Sequence, residues 1–114
     1  MISHLKNLGF TASTIHLKDI LHLKTGLSYI ENNNLLCWKV MSELSEFSKY
    51  NKIIIPENEH YAANSVWING TVLVPSGNPL AKKLIQDLGY STIALDMSEF
   101  KKLDGGLSCL SLRF

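Results

Sequence analysis

The chain has 114 residues, of which 46% are apolar and 18% charged, a composition that excludes a disordered protein and predicts one folded domain over 1–114. Its net charge of +1, without a basic block, argues against a nucleic-acid partner. No apolar run approaches the roughly 18 residues of a membrane span, and residues 1–8 lack a secretory apolar core. We therefore expect a cytoplasmic protein without a membrane partner.

Helical and strand patterns alternate along the chain. Pro, Gly and Asn residues separate them and mark turns and helix ends. The patterns predict helices over 2–8, 40–49 and 79–88, and strands over 12–17, 27–31, 35–39, 52–55, 65–69, 71–74, 91–96 and 107–113. An Asn-rich turn at 32–34 and the Asn69-Gly70 pair predict two hairpins.

The pattern repeats with a period of about 40 residues. Residues 8–17 resemble residues 88–95, and each segment follows a helical pattern that ends in Gly. The repeat predicts β-β-α-β units in an α/β protein, arranged as a propeller-like array with the helices outside. A two-layer α/β sandwich is the alternative that the sequence leaves open.

Cys109 is the first candidate for chemistry, because it follows the Gly105-Gly106 turn at the start of an apolar stretch. A catalytic cysteine acts as a thiolate and needs an acid or base nearby in space. His22 is the best candidate for that partner, so a Cys109–His22 pair is the main hypothesis. The alternative is that Cys109 is a small buried apolar residue.

Other polar and aromatic residues have simpler interpretations. Cys37 is predicted to be a core residue, and two cysteines form no disulfide framework. Glu57 and Glu59 are predicted to be solvated loop charges. Three further histidines and two aromatic residues are predicted to have structural or solvent-exposed roles: His4, His16, His60, Tyr29 and Trp67.

Three motifs together resemble the dimethylarginine dimethylaminohydrolase family of the guanidino-group-modifying, or amidinotransferase, superfamily. They are His22-Leu23-Lys24-Thr25, the segment 59–64 with Asn69-Gly70, and the segment 103–111. The resemblance implies a five-fold α/β propeller of β-β-α-β units. This chain would form about half of that ring, as its C-terminal part, starting in the middle of a unit.

The resemblance also implies roles for three residues. Cys109 would be the nucleophile and His22 the general acid and base, while Leu103 would bind substrate through its backbone carbonyl. The substrate would be a small guanidino compound, methylated arginine or arginine, and the products citrulline and an amine. The resemblance implies neither a metal nor another cofactor.

The N-terminal half of the family supplies the acidic residues and arginines that hold the substrate, and Arg113 is the only arginine here. We therefore expect the isolated chain to be inactive and to need a complementary N-terminal half or a second copy of itself. Two alternatives stay open at this point. One is a non-catalytic remnant or interaction module of the same fold, and the other is an unrelated small cysteine hydrolase.

Overall fold

The computed structural model describes residues 1–18 and 20–112, and its central feature is a pair of three-stranded sheets. The first sheet contains β1 (Leu27–Glu31), β2 (Asn34–Trp38) and β3 (Asn51–Ile55), and the second contains β4 (Val66–Ile68), β5 (Thr71–Pro75) and β6 (Ser91–Leu95). The α-helices in these residues are α1 (Ile2–Asn7), α2 (Leu23–Gly26), α3 (Lys39–Ser42), α4 (Pro79–Asp87) and α5 (Ser98–Lys101). Two 3₁₀ segments cover Ser45–Phe47 and Glu57–Ala63.

Both sheets are built in the same way. In each, the first two strands form an antiparallel hairpin, and the chain then crosses over to a third strand that lies parallel to the second. Helical segments occupy both crossovers, as parallel strands require a connection that returns to the same end of the sheet. The prediction of repeated β-β-α-β units in an α/β fold is therefore confirmed, whereas their placement in a ring stays a prediction.

The two hairpin turns follow from their residues. Asn32 and Asn33 have φ values of 50° and 64°, and Asn69 and Gly70 have φ values of 49° and 82°. Two successive residues with positive φ are typical of the type I′ turn, whose twist matches that of the flanking strands. Asn and Gly tolerate this region of backbone space best. The antiparallel pairing of β1 with β2 and of β4 with β5 confirms both predicted hairpins.

The main hydrophobic core joins the two units. Side chains from β1, β2 and β3 meet side chains from β5 and α4, and no water reaches most of them. The buried members are Ile30, Leu36, Ile53, Ile55, Ala62, Ala63, Val72, Val74, Ala81 and Ile85. A core shared in this way fixes one sheet against the other.

The helix predicted over 40–49 is broken in the structure. The helix α3 ends at Ser42, Leu44 is extended with ψ of 128°, and a 3₁₀ turn follows at Ser45–Phe47. The Lys52 ammonium donates to the Ser42 carbonyl at 2.6 Å and satisfies an acceptor that a longer helix would have used. The break lets both Met41 and Phe47 reach a second buried cluster, which they form with Leu27, Leu35 and Cys37.

The strand predicted over 12–17 is also absent. Ile15 and Leu17 do pack against the second buried cluster, as apolar side chains of a strand would. No strand within the described residues pairs with this segment, however, and an extended segment becomes a strand only when its backbone groups bond to a neighbour.

The strand predicted over 107–113 is wrong for residues 107–112, and Arg113 lies outside the described residues. The backbone N–H groups of Cys109 and Leu110 both donate to the Gly106 carbonyl, at 3.0 and 3.2 Å. These local bonds fold the segment into a helical turn and leave its donors unavailable to a sheet. Within residues 1–18 and 20–112, the helices are too short to span a bilayer.

Candidate active site

A cavity of about 520 Å³ opens beside the two sheets, on the side where β1 and β4 lie next to each other. Residues adjacent to His22 and residues adjacent to Cys109 both line it, although the two come from distant parts of the sequence. The lining residues are Leu23, Lys24, Leu27, Ser28, Tyr29, Ser65, Val66, Trp67, Ser108 and Ser111. The structure therefore brings the two segments of the predicted pair to one cavity.

His22 immediately precedes the short helix α2. Its backbone is extended, with φ of −132° and ψ of 145°, and its carbonyl accepts from the Thr25 N–H at 3.0 Å. The side chain is exposed. The helix α2 packs against the 3₁₀ segment Glu57–Ala63, which holds the His22 end of the cavity against the second unit.

The glycine at position 26 allows α2 to lie close to Met41 and Ile20. A Cβ added to Gly26 would lie 2.8 Å from Cγ of Met41 and 3.2 Å from Cδ1 of Ile20. Because Met41 is buried in the second cluster, it has little room to yield. The close approach fixes the helix that follows His22.

Cys109 lies in the turn that replaces the predicted last strand, and its side chain is exposed. The turn sits on a small cluster formed by Val66, Met97 and Leu107. The Oδ1 atom of Asn64 accepts from the Ser108 N–H at 2.9 Å, and the Nδ2 atom lies 3.9 Å from the Cys109 sulfur. A buried side chain of the second unit thus contacts both the backbone and the sulfur of this turn.

Tyr61 supports the same turn from the other side. Its hydroxyl donates to the Gly105 carbonyl at 2.5 Å, and the Lys101 ammonium lies 4.9 Å from the centre of its ring. Burial, and secondarily the negative charge that Cys109 carries when ionised, raises the pKa of the Tyr61 hydroxyl above its ordinary value of 10.0. The phenol therefore stays a hydrogen-bond donor throughout the neutral range.

We expect Tyr61→Phe to lower the free energy of unfolding by about 0.5–1.5 kcal/mol at pH 8, because one hydrogen bond is lost. The raised pKa of Tyr61 means that the unfolded chain releases this proton first. The extra stability of the wild type is therefore complete below pH 10 and declines as the pH rises through the folded-state pKa. Urea titrations of both proteins between pH 8 and 11 measure the difference, with the exposed Tyr29→Phe as control; a constant difference contradicts the prediction.

The floor of the cavity is polar and tightly bonded. The Ser28 hydroxyl donates to the Ala63 carbonyl and accepts from the Ser65 N–H at 3.0 Å, while the Ser65 hydroxyl donates to the Ala62 carbonyl at 2.7 Å. All of these groups are buried. They join β1 to the start of β4 and keep the two walls of the cavity in register.

Leu103, predicted to bind substrate through its carbonyl, follows helix α5. Its side chain is 86% exposed. Its N–H and that of Gly105 both donate to the Phe100 carbonyl, at 3.0 and 2.9 Å, so the backbone here is fixed by local bonds. The role of its carbonyl stays a prediction.

The prediction that both loop glutamates are solvated is wrong for one and confirmed for the other. Glu59 is only 5% exposed, so its interpretation as a solvated charge is wrong. Its carboxylate accepts from the N–H groups of Leu80 and Ala81, at 3.2 and 2.7 Å, in the first turn of α4. Glu57 is exposed as predicted, but its carboxylate also accepts from the Trp38 indole N–H at 2.5 Å.

Cys37 is fully buried in the second cluster, as predicted, and burial raises the pKa of its thiol while Lys52 acts in the opposite direction. We expect a soluble alkylating reagent to modify the exposed Cys109 at least about a hundredfold faster than Cys37, since a buried thiol reacts only after local opening. Peptide mass spectrometry over time separates the two sites. Equal rates would show that the Cys37 thiol is not buried.

Comparison with known proteins shows the same similarity in sequence and in structure, and no family model matches the chain. It is 48% identical over 114 residues to the N(G),N(G)-dimethylarginine dimethylaminohydrolase of Pseudomonas aeruginosa, covering 100% of this chain and 45% of that protein. A Streptomyces coelicolor protein of the same name is 27% identical over 108 residues, with 93% of this chain and 40% of that protein covered. The chain thus spans less than half the length of these relatives.

Solved structures give the same result. The chain superimposes on a cysteine-to-serine variant of the Pseudomonas aeruginosa dimethylarginine dimethylaminohydrolase, crystallised with citrulline. The TM-score is 0.95, with 47% identity over 99% of this chain and 44% of that one. A histidine-to-glycine variant of a dimethylarginine dimethylaminohydrolase, solved as an adduct with S-methyl-L-thiocitrulline, gives a TM-score of 0.96 at the same identity and coverage.

A more distant structure extends the likeness in fold alone. An amidinotransferase from Microseira wollei, 16% identical over 82% of this chain and 32% of its own, gives a TM-score of 0.68. Over its whole length the chain is therefore similar, in sequence and in fold, to the C-terminal half of dimethylarginine dimethylaminohydrolases.

Proposed function

We propose that this chain forms the C-terminal half of a hydrolase that acts on guanidino groups, with Cys109 as nucleophile and His22 as general acid and base. One observation carries the proposal. The cysteine and the histidine substituted in the two crystallised relatives are as far apart in sequence as Cys109 and His22 are here. In this chain, neighbours of Cys109 and of His22 line one cavity, although these two residues themselves do not, and that proximity supports the proposed pair.

The proposed reaction has two steps. The Cys109 thiolate attacks the guanidinium carbon of a methylated arginine, and His22 protonates the departing methylamine or dimethylamine as the C–N bond breaks. A covalent S-alkylthiouronium remains on Cys109. His22 then removes a proton from a water molecule that attacks the same carbon, which releases citrulline and restores the thiol. The Leu103 carbonyl would accept a hydrogen bond from the cationic substrate.

A complementary N-terminal half is part of the proposal. Residues 12–17 include Ile15 and Leu17, which pack on buried side chains, but they lack a strand partner within the described residues. Strand β6 is exposed along most of its length, and its apolar side chains Ile93 and Leu95 are 51% and 37% exposed. Both features suit contact with further β-β-α-β units, which would close a five-fold propeller around the cavity.

The proposal leaves two other assemblies to be tested. A second copy of the chain could cover the same surfaces, and a non-catalytic module could use them to bind another protein. A cytoplasmic location and a single domain over 1–114 also remain predictions. Sedimentation of the purified chain, alone and mixed with the N-terminal half of the Pseudomonas aeruginosa relative, distinguishes self-association from hetero-association.

The test of the chemistry uses a covalent intermediate. We would fuse the N-terminal half of the Pseudomonas aeruginosa relative to this chain carrying His22→Gly, and incubate the fusion protein with S-methyl-L-thiocitrulline. Attack by Cys109 displaces methanethiol and leaves an S-alkylthiouronium adduct. We expect its mass on the peptide that contains Cys109, and none when Cys109→Ser is added. An adduct on another residue contradicts the assignment of the nucleophile.

A further inference from the structure

We propose that Asn64 is the positioning residue of Cys109, fixing the turn through one end of its amide and presenting an N–H to the sulfur with the other. The inference rests on the proposed function, because it concerns the residue assigned there as the nucleophile. It assigns a role to a side chain outside the predicted Cys109–His22 pair.

The orientation of the Asn64 amide follows from its partners. The backbone N–H of Ser108 can only donate, so the amide oxygen must face it, and the two atoms are 2.9 Å apart. The amide nitrogen then faces Cys109, with its donor 3.9 Å from the sulfur. Reversal of the amide would place two donors against each other, and the bond to Ser108 therefore determines what the sulfur meets.

The Asn64 side chain has little freedom to turn away. It is 3% exposed, and its own backbone N–H donates to the Tyr61 carbonyl at 3.2 Å at the end of the 3₁₀ segment. The next residue, Ser65, is bonded through both its N–H and its hydroxyl to buried partners. Asn64 therefore adjoins the bonded floor of the cavity and is buried beside it.

Gly106 shows how closely the turn packs on the Asn64 side chain. A Cβ added there would lie 2.0 Å from Nδ2 and 2.6 Å from Cγ of Asn64. Those distances are far below van der Waals contact, so any larger residue would displace the amide that faces Cys109. The glycine allows the turn to close directly over Asn64, and its Cβ position is the space that the amide occupies.

The arrangement has a chemical consequence. An N–H directed at a sulfur stabilises the thiolate over the thiol, and a fixed backbone turn restricts the directions in which the sulfur can attack. We assign Asn64 no contact with the reacting carbon or the departing amine. Its effect is exerted through the charge and the orientation of Cys109.

The test separates the two ends of the amide. Asn64→Asp keeps an oxygen for the Ser108 N–H but replaces the donor near the sulfur with a negatively charged oxygen. We expect iodoacetamide to alkylate Cys109 about tenfold more slowly at pH 7.5 in this variant, and the alkylation profile to move to higher pH. Asn58→Asp adds the same charge at an exposed position of the same segment and should leave both unchanged.

A second variant approaches the contact from the other side. Gly106→Ala should displace the amide and also move the alkylation profile to higher pH, so the inference does not depend on one variant folding. A merely structural role for Asn64 would alter urea stability without moving the profile of the folded protein. Unchanged profiles in folded Asn64→Asp and Gly106→Ala would overturn the inference.

Alkylation needs no substrate, so the two proposals fail differently. A shifted profile in a protein whose fusion forms no citrulline supports the role of Asn64 at the sulfur and counts against the proposed reaction. In an active fusion, Asn64→Asp should lower kcat and leave KM within about threefold, because the substrate is held elsewhere. An unchanged kcat would overturn the inference and leave the proposed reaction standing.

Discussion

A fusion of the N-terminal half of the Pseudomonas aeruginosa relative to this chain should convert dimethylarginine to citrulline, whereas the chain alone should form none that can be detected. The proposed nucleophile and proton donor are present in both proteins. In the proposed enzyme the N-terminal half provides the acidic residues and arginines that hold the substrate, and Arg113 is the only arginine of this chain. Correct placement of reactants contributes about 7–11 kcal/mol to catalysis, so we expect at least a thousandfold difference in rate.

Colorimetric or mass-spectrometric measurement of citrulline, at equal protein concentrations, tests this expectation. The intact Pseudomonas aeruginosa relative provides the positive control, and the fusion with Cys109→Ser provides the negative one. Turnover by the highly purified chain alone, abolished by Cys109→Ser, would contradict the need for a second half. A folded, monodisperse fusion without turnover would favour the non-catalytic module.

The hairpins and the repeat could be predicted because their signals are local. Asn32-Asn33 and Asn69-Gly70 supply the two positive φ values that a type I′ turn requires, and few other residues do so at low cost. Alternation on either side of each turn then fixes which residues face the core. The α/β class follows from these units without any knowledge of how they meet.

The two missing strands show the limit of the same reasoning. The sequence pattern predicts strands over 12–17 and 107–113 as it predicts β1 or β5. A strand also needs a neighbour, and the pattern does not say whether one is present. Residues 107–112 satisfy their backbone groups locally through the Gly106 carbonyl, while residues 12–17 keep the apolar contacts of a strand without its ladder.

The supporting residues of the site were missed for a different reason. The segment 59–64 was singled out as a motif, but nothing in it predicts that Asn64 meets Ser108 across 44 residues or that Glu59 reaches Ala81. Buried polar side chains take their roles from partners that are distant in sequence. The signal available was weak: the pair Ala62-Ala63 stands between polar residues shortly before β4.

Glu59→Ala should destabilise the protein by about 2–4 kcal/mol, because it removes a buried carboxylate that accepts two N–H groups at the start of α4. Pro79 occupies the first turn of that helix, and Asn78 makes no side-chain bond to it. Asn78 is committed instead to the Pro75 and Ser76 carbonyls. Glu59 therefore caps the helix from another part of the chain, and its charge also suits the positive end of the helix dipole.

Urea denaturation followed by circular dichroism measures the loss, and two further variants locate its cause. Glu59→Gln keeps one acceptor but places an amide N–H against a helix N–H, so its stability should fall by about 1–3 kcal/mol. Glu46→Ala removes an equal charge from the exposed 3₁₀ turn of the first unit and should change stability by less than about 0.5 kcal/mol. Equal effects of Glu59→Ala and Glu46→Ala would show that Glu59 does not hold α4. The carboxylate bonds to Leu80 and Ala81 anchor the segment leading to Asn64. Glu59→Ala should therefore also loosen the contact of Asn64 with Cys109 and lower the rate of Cys109 alkylation at pH 7.5.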